Sequence, residues 1–406
     1  MDTREYDVVV WGASGFTGRL VAEHLLAIHG AGGALRWALG GRSEAKLADV
    51  RRGLGAAAEA LPLVVADADD QSGMDDLARR ARVVCSTVGP YALYGSKLVA
   101  ACVHHGTHYC DLTGEVPWMR RMIDQHHRRA RETGARIVHT CGFDSIPSDL
   151  GVWFLQREMV GRFGVPADRV KLRVREARGG FSGGTIASML NMLDEAERDP
   201  EVGTVLADPY GLNPESERRG LDGPERTLPE YDADFAAWVA PFVMAAINTR
   251  VVRRSNALSG YAWGHEFRYD EGMLMPFGWW GFPLAAGMST GTAVVGAMTS
   301  VGALRRGLAR WLPQPGQGPS QKTRESGFYR IELLGRGGDA TLRARVYGDR
   351  DPGYGSTSRM LGEAAVCLAK DDLASAGGVL TPSVAMGEAL LQRLAVHAGV
   401  TFEVVD

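Results

Sequence analysis

The sequence predicts an α/β protein: a doubly wound parallel sheet, then a second, mixed α/β unit that contains an antiparallel sheet. Over the first 145 residues, short β-branched runs alternate with amphipathic segments of helical length. The first such run ends in three glycines, Gly12, Gly15 and Gly18, and a helical pattern follows. After Pro147 the alternation stops and longer strand patterns begin. Strand–helix–strand repeats pair in parallel through right-handed crossovers, so helices should cover both faces of the first sheet.

The elements of the first unit follow from its apolar runs and the helical patterns between them. The predicted strands are 6–11, 35–39, 63–66, 83–87, 107–111 and 136–140. The predicted helices are 17–28, 44–52, 72–80, 96–105 and 116–132.

The second unit opens with residues 170–179, where apolar and charged side chains alternate as in a strand with one solvated face. A helix is expected at 185–197. The segment 199–230 is rich in Gly, Pro and charge, which indicates an excursion or flexible lid. The remaining predicted elements are a hairpin of 328–334 and 340–347, helices at 356–370 and 383–397, and a strand at 401–405.

The amino-acid composition indicates which kinds of molecule the protein binds. The chain has 45 basic and 48 acidic residues, a formal charge of −3, so no global field attracts nucleic acid. Its five cysteines lack the spacing of a disulfide framework, and the first residues lack a secretory pattern, so we expect a cytoplasmic protein. A small molecule or another protein is the expected partner, and a homodimer is compatible with this.

No charged residue occurs from Gly272 to Leu304. Length alone would permit a membrane span, but Pro276, Pro283 and several glycines argue against one. A buried helix or the wall of a lipid-binding cavity is the favoured interpretation. Peripheral membrane contact through 272–304 is the alternative.

The three glycines of the first loop suit a dinucleotide. In a strand–loop–helix, Gly12 would allow a tight turn, Gly15 a close approach to a diphosphate, and Gly18 close packing of the helix. The helix N-terminus would offer unpaired N–H groups to the anion. A purely structural glycine turn is the alternative.

The end of the second predicted strand favours NADP over NAD. Arg42 stands where NAD sites carry an acid, and Lys46 follows about one helical turn later. A solvated Arg42 is the alternative, although a cation near a helix N-terminus is unfavourable without an anion. Asp67 would lie at the adenine, and the turn 88–91 at the nicotinamide ribose.

Two other motifs are weaker. Residues 102–115 hold two thiols and three imidazoles, but they span a helix end and a strand, so no metal site is predicted. No GxSxG occurs, and the stretch around Ser145 lacks a nucleophile-elbow pattern, so a hydrolase triad is not supported.

Six stretches together resemble the saccharopine dehydrogenase-like oxidoreductases. They are GASGFTG, GGRSEAKL, VVCSTVGPYALYG, YCDLTGE, CGFDSIPSDLG and GGVLTPSVAMGEALL. The branch that looks most similar is the actinobacterial trans-acting enoyl reductases, which work with polyketide synthases in cell-wall lipid biosynthesis.

The resemblance implies a Rossmann domain that binds NADP(H), a mixed second domain, and C-terminal helices that return to the first. We therefore expect a Rossmann domain at 1–146, a substrate domain at 147–350, and a tail of helices and strand at 351–406 that returns to the Rossmann domain. Carried over by position, the resemblance places the cofactor on the following residues: Gly12, Ser14, Gly15, Phe16, Thr17, Gly18, Arg42, Ser43, Val88, Gly89, Pro90 and Tyr91.

The sequence says less about the substrate than about the cofactor. A saccharopine-type imine would need several cations for its carboxylates, whereas 276–288 is a large apolar stretch suited to an acyl chain. That favours reduction of a C=C bond in a carrier-bound acyl thioester, with a polyketide synthase as partner, although 276–288 could equally be core. An imine reductase and a non-catalytic NADP-binding scaffold are the alternatives.

Four side chains near predicted strand ends are candidates for the chemistry. Hydride would reach the β-carbon and a proton the α-carbon, so a proton source is needed. Tyr91 is the first candidate donor and Asp144 the second, and Asp111 and Ser145 face the same presumed crevice.

Overall fold

Two seven-stranded sheets organise the protein. The computed structural model describes residues 4–179, 183–276, 278–300 and 318–405. One sheet is entirely parallel and the other is mixed with antiparallel strands, which confirms the predicted fold class.

The first sheet is built mostly from the first 138 residues. Its strands are β1 (Tyr6–Trp11), β2 (Trp37–Gly41), β3 (Leu63–Val65), β4 (Ala81–Ser86), β5 (His108–Asp111) and β6 (Arg136–Val138). The helices between them are α1 (Phe16–His29), α2 (Glu44–Gly53), α3 (Gln71–Arg80), α4 (Tyr91–Tyr94), α5 (Ser96–His105) and α6 (Val116–Thr133). The order β6-β5-β4-β1-β2-β3 reverses direction at β1, where such folds open a crevice.

The second unit follows. Its strands are β7 (Arg169–Arg178), β8 (Glu230–Asp232), β9 (Ala237–Ala240), β10 (Arg268–Leu274), β11 (Phe328–Gly337) and β12 (Ala340–Gly348). Its helices are α7 (Ile146–Phe163), α8 (Gly183–Arg198), α9 (Pro200–Ala207), α10 (Ala245–Leu258), α11 (Phe282–Ser300) and α12 (Gln321–Ser326). β7 and β10 pair in parallel, while β11 and β12 form the predicted hairpin.

The tail joins both sheets. It contains α13 (Thr357–Lys370), β13 (Gly378–Leu380), α14 (Pro382–Arg393) and β14 (Val400–Val405). α13 packs against α1, and β13 extends the first sheet by pairing with β6. β14 instead pairs with β12, so the last strand lies in the second sheet and does not return to the first. The sequence pattern did not reveal β13, because three residues are too few for a period to show.

One hydrophobic cluster is continuous between the two units. It includes Val8 of β1, Leu150 of α7, Leu333 of β11 and Met360 of α13, all fully or almost fully buried. This shared core fixes the position of the second unit against the carboxyl ends of the parallel strands.

The segment 199–230 is more ordered than a flexible lid would be. It begins with α9, and its irregular part is fastened to α10 by two ion pairs. Arg253 Nε contacts Asp222 at 2.8 Å, and Arg250 contacts Glu225 at 2.8 Å. Both arginines are buried, so these pairs are shielded from solvent screening.

In the part that the structure describes, the apolar segment 272–304 is only partly buried: Leu274, Met275 and Ala285 belong to small hydrophobic clusters, whereas several larger side chains are exposed. After β10 come a 3₁₀ turn and α11, which packs on β9 and also contacts α8. Trp280 is 69% exposed, and Phe282, Leu284 and Met288 are exposed as well. The expectation of a buried helix is therefore wrong for these side chains. In the described ranges, no helix is long and apolar enough to cross a membrane.

Candidate active site

A cavity of about 860 Å³ lies at the carboxyl ends of the parallel strands, between the first sheet and the second unit. Twelve of the residues predicted to hold the cofactor line it. They are Gly12, Ser14, Gly15, Phe16, Thr17, Arg42, Ser43, Lys46, Asp67, Val88, Gly89 and Tyr91. A fold of this kind binds its ligand at the point where the strand order reverses, which is where this cavity lies.

The glycine loop has the geometry that the spacing predicted. Gly12 has a φ of +89°, a conformation that favours glycine, and its N–H donates to the Gly40 carbonyl at 2.9 Å. A Cβ on Gly18 would lie 2.2 Å from the Gly12 carbonyl oxygen. Gly18 therefore packs α1 against the loop and is absent from the cavity lining, as is Pro90.

The N-terminus of α1 is open toward the cavity. Its N-cap is Gly15, which supplies no side-chain cap, and no acidic residue occupies the first turn. The first N–H groups of a helix lack intrahelical acceptors, and the helix dipole adds partial positive charge there. This site fits a dinucleotide diphosphate.

Arg42 and Lys46 provide the positive charge beside the second strand. Arg42 is exposed, lines the cavity, and forms no ion pair with any residue that the structure describes. It directly precedes Ser43, the N-cap of α2, whose side chain accepts from the Lys46 N–H. A cation at a helix N-terminus is unfavourable without an anion, so this arrangement fits a 2′-phosphate.

Tyr91 lines the cavity, but its hydroxyl is hydrogen-bonded within the first unit. The hydroxyl donates to the Ser86 carbonyl at 3.1 Å, and the ring stacks on Trp118 at a centroid distance of 5.5 Å. Burial and the nearby Asp111 carboxylate raise the pKa of Tyr91 well above its ordinary value. The hydroxyl does not point into the cavity, so the structure does not support Tyr91 as the first candidate donor.

Asp144 is the carboxyl group best placed for proton transfer. It is half-buried and lines the cavity, and no described side chain donates a hydrogen bond to it. Burial, reinforced by the Asp111 charge, raises its pKa to about 7. Near neutral pH this carboxyl therefore both holds and releases a proton, as an acid catalyst requires.

Asp111 and Ser145 do not reach the cavity. Asp111 is fully buried, and its Oδ2 lies 2.8 Å from His139 Nδ1. Its Oδ1 accepts from the N–H groups of Thr113 and Thr140. These bonds tie the loop after β5 to the loop that carries Asp144. Asp111 supports the wall of the cavity and does not form its surface.

The Ser145 side chain is likewise hydrogen-bonded inside the protein. It is fully buried, and its hydroxyl donates to Asn248 Oδ1 at 3.1 Å. The sequence placed Asp111, Asp144 and Ser145 near strand ends correctly. It could not show which side chain of each loop points into the cavity, because loop backbones have no fixed alternation.

The other wall of the cavity comes from the second unit, and sequence reasoning missed it. No local motif marks these residues, because helical periodicity does not say which element a face will meet. They are Ser188, Met192, Leu206, Val243, Met244, Ala246, Ile247 and Arg250. Tyr354 of the tail also lines the cavity and packs on Phe16. None of the described residues of 272–300 contributes to the lining, so the acyl-sized surface expected at 276–288 lies elsewhere.

The cysteines and histidines of the stretch 102–115 do not line the cavity. Cys102 and Cys110 are buried free thiols, and His108 Nδ1 accepts from the Arg136 N–H at 3.1 Å. No cluster of three or more His, Cys, Asp or Glu suited to a metal occurs among the residues described.

Comparison with known proteins agrees with this geometry. Residues 8–138 match the family described as the saccharopine dehydrogenase NADP binding domain. A Mycobacterium tuberculosis protein provisionally named a trans-acting enoyl reductase is 46% identical, over 98% of this chain and 97% of the relative. The trans-acting enoyl reductase of Mycobacterium leprae is 40% identical, over 97% of this chain and 96% of the relative.

A solved structure supports the fold alone. Apo saccharopine dehydrogenase (L-Glu forming) from Saccharomyces cerevisiae aligns with a TM-score of 0.53 at 12% identity, over 98% of this chain and 99% of that one. The fold with its two sheets and the match of residues 8–138 to an NADP binding domain thus point to the same family. The chain belongs to the trans-acting enoyl reductases of the saccharopine dehydrogenase-like oxidoreductases, and it is an NADP-dependent oxidoreductase.

Proposed function

We propose that this protein uses NADPH to reduce the C=C bond of an α,β-unsaturated acyl thioester. The observation that carries the proposal is the make-up of one cavity: its glycine-loop end fits a dinucleotide, its opposite wall is apolar, and Asp144 lies in the lining. The names of the relatives support the same reaction.

The wall from the second unit favours an acyl chain over an amino-acid substrate. Met192, Leu206, Val243, Met244 and Ile247 supply aliphatic surface. Binding energy for a hydrocarbon chain would come from burial of this surface, at roughly 0.8 kcal/mol per CH₂ group.

The charges of the same wall do not suit a dicarboxylate. Arg250 is the one cation that the described residues of the second unit contribute to the lining. Its guanidinium is already bonded to Glu225 and to the carbonyls of Asp208 and Leu206. A saccharopine-type substrate would require free cations for its carboxylates, so an imine reductase is disfavoured.

Asp144 has a defined part in this reaction. The residues of the glycine loop and Arg42 would hold NADPH, which when bound would supply a hydride for the β-carbon. The protonated Asp144 carboxyl then supplies the proton to the α-carbon, and the apolar wall holds the chain and excludes water. Each turnover consumes one proton, which the carboxyl regains from solvent.

Oxidation of NADPH by the purified protein tests the proposal. The assay compares trans-enoyl N-acetylcysteamine thioesters of increasing chain length with the corresponding saturated thioesters and with an imine formed from lysine and a keto acid. We expect turnover of the enoyl thioesters alone, with a KM that falls as the chain lengthens. Turnover of the imine, or of none of these compounds, would contradict the proposal.

We further propose that the acyl chain arrives on a separate carrier protein, such as a domain of a polyketide synthase. The word trans-acting in the names of the relatives supports this. The test compares one acyl group presented on an isolated acyl carrier domain and as the free thioester. A lower KM for the carrier-bound form is expected, and equal KM values would argue against a carrier partner.

A further inference from the structure

Glu115 is a fully buried carboxylate directly behind the cavity wall. Its Oε1 accepts hydrogen bonds from the Tyr91 N–H at 2.8 Å and from the Ser188 hydroxyl at 2.7 Å. Its Oε2 accepts from the Ala92 N–H at 2.8 Å. Within the described ranges, no cation forms an ion pair with Glu115, so three neutral donors hold its charge.

The three donors come from opposite sides of the cavity. Tyr91 and Ala92 begin α4, directly after the turn at the cofactor end, whereas Ser188 lies on α8 of the second unit. Ser188 lines the cavity together with Gly89, and Met192, one helical turn further along α8, lines its apolar wall. A Cβ built on Gly89 would lie 3.8 Å from the Ser188 hydroxyl oxygen. One carboxylate therefore joins the cofactor-side turn to the helix that covers the acyl side.

The chemistry of this contact requires a carboxylate. Glutamine has the same shape, but its amide nitrogen would face an N–H donor on one side, because only one of its two terminal atoms accepts. Burial raises the pKa of Glu115, and the bonds from Ser188, Ala92 and Tyr91 act in the opposite direction. Loss of the Ser188 hydroxyl would leave a buried charge with one donor fewer, a change that the surrounding backbone must accommodate.

A second contact between the first unit and α8 lies outside the cavity. Arg121 of α6 and Glu195 of α8 form an ion pair at 3.2 Å, with both side chains partly exposed. This pair also fastens α8 to the first unit, but it touches neither Glu115 nor the turn 88–91. It provides a matched control.

We infer that Glu115 is a positioning residue: through Ser188 it couples the seating of α8 over the acyl side of the cavity to the conformation of the 89–92 turn on the cofactor side. The kinetic consequences of this inference rest on the proposed function. The coupling between α8 and the 89–92 turn does not depend on the proposed function, and a separate experiment measures it.

Hydrogen–deuterium exchange of the NADPH-bound protein tests the coupling without any turnover. In Ser188→Ala we expect faster exchange both in α8 and in residues 89–95. In Arg121→Ala we expect faster exchange in α8 alone. Ser188→Thr keeps the hydroxyl, so we expect wild-type exchange rates in α8 and in residues 89–95. Faster exchange confined to α8 in Ser188→Ala would overturn the inference, because the two sides would then be independent.

Kinetics give the second test. Glu115→Gln and Ser188→Ala should each lower kcat/KM for an enoyl thioester about tenfold, the loss expected for one hydrogen bond to a charged group. The double variant should lose no more than Glu115→Gln alone, and Arg121→Ala should lose less than twofold. Additive losses in the double variant would overturn the coupling. If the wild-type protein reduces no enoyl thioester, the proposed function fails, while the exchange experiment still decides this inference.

Discussion

The Tyr91 hydroxyl donates to the carbonyl oxygen of Ser86 at 3.1 Å and thus faces the protein interior. Tyr91 is one of the lining residues of the cavity, and its ring is stacked on Trp118. The Tyr91 hydroxyl is therefore not available to a substrate in the cavity. We therefore assign the role of proton donor to Asp144. Its carboxyl lines the cavity, and no side chain among the described residues donates a hydrogen bond to it.

Tyr91→Phe should leave the reaction almost intact. The substitution keeps the stacked ring but removes the bond to the Ser86 carbonyl and the longer bond, at 3.4 Å, that the Leu112 N–H donates to the hydroxyl. It should therefore lower the free energy of unfolding by about 1 kcal/mol. We expect kcat within about threefold of wild type, since no proton donor is lost. The measurements are steady-state kinetics and a denaturant unfolding curve. A fall in kcat of a hundredfold or more would restore Tyr91 as the donor.

Asp144→Asn should abolish most of the activity. Loss of a general acid lowers kcat about 10²- to 10⁴-fold, while binding of NADPH should change little. Because burial raises the pKa of Asp144 to about 7, the protonated form decreases as the pH rises through that value. The wild-type rate should therefore fall above pH 7, and the residual rate of Asp144→Asn should not.

Asp69→Asn provides the control for this pH profile. Asp69 is an exposed carboxyl in the lining of the same cavity. Its removal should keep the decline in rate above pH 7. An identical decline in Asp144→Asn would show that another group controls the profile.

The sequence predicted the cofactor side of the cavity far better than the substrate side. The glycine loop and Arg42 belong to one strand–loop–helix unit and its neighbour, so spacing along the chain nearly fixes their positions in space. Met192 and Ile247 come from helices of another unit, and their meeting with the cofactor side depends on tertiary packing. The same reason explains the error at 276–288, where an apolar pattern predicted burial but Trp280 and Phe282 are exposed.

Arg42→Ala should separate the two nicotinamide cofactors. The guanidinium has no described ion-pair partner, so a 2′-phosphate is the anion that it can neutralise. We expect the Kd for NADPH to rise about tenfold or more and the Kd for NADH to change by less than twofold, in fluorescence titrations at low salt. Arg52→Ala, at an exposed position of α2, is the control and should alter neither. Equal losses for both cofactors in Arg42→Ala would rule out the 2′-phosphate assignment.

Gly18→Ala should disrupt the glycine loop. The added methyl group would lie 2.2 Å from the Gly12 carbonyl oxygen, so α1 or the loop must move. We expect a loss of stability of about 2 kcal/mol or more and weaker binding of NADPH. Gly161→Ala, in α7 with open space around the new methyl, should be neutral or stabilising by up to about 1 kcal/mol. Thermal unfolding with and without NADPH measures both, and a harmless Gly18→Ala would contradict the close approach.

Glu363 should make the docking of the tail on α1 sensitive to acid. It is fully buried on α13, and its Oε1 lies 2.8 Å from His24 Nε2 and 3.5 Å from His29 Nε2. Burial alone would raise its pKa, but the bonds to the two histidines outweigh burial and lower the pKa to about 2. A lowered pKa means that ionised Glu363 stabilises the fold above about pH 4.5, and that this contribution is lost as the pH falls toward 2.

Glu363→Gln should therefore be less stable than wild type at pH 6, by about 2 to 4 kcal/mol. The difference should shrink as the pH falls from 4.5 toward 2, because protonated Glu363 no longer differs from glutamine in charge. Thermal unfolding midpoints across this range measure it. Glu388→Gln, at a partly exposed position of α14, should run parallel to wild type throughout. A Glu363→Gln curve that also stays parallel to wild type would show that the pKa of Glu363 is the same in the folded and unfolded protein.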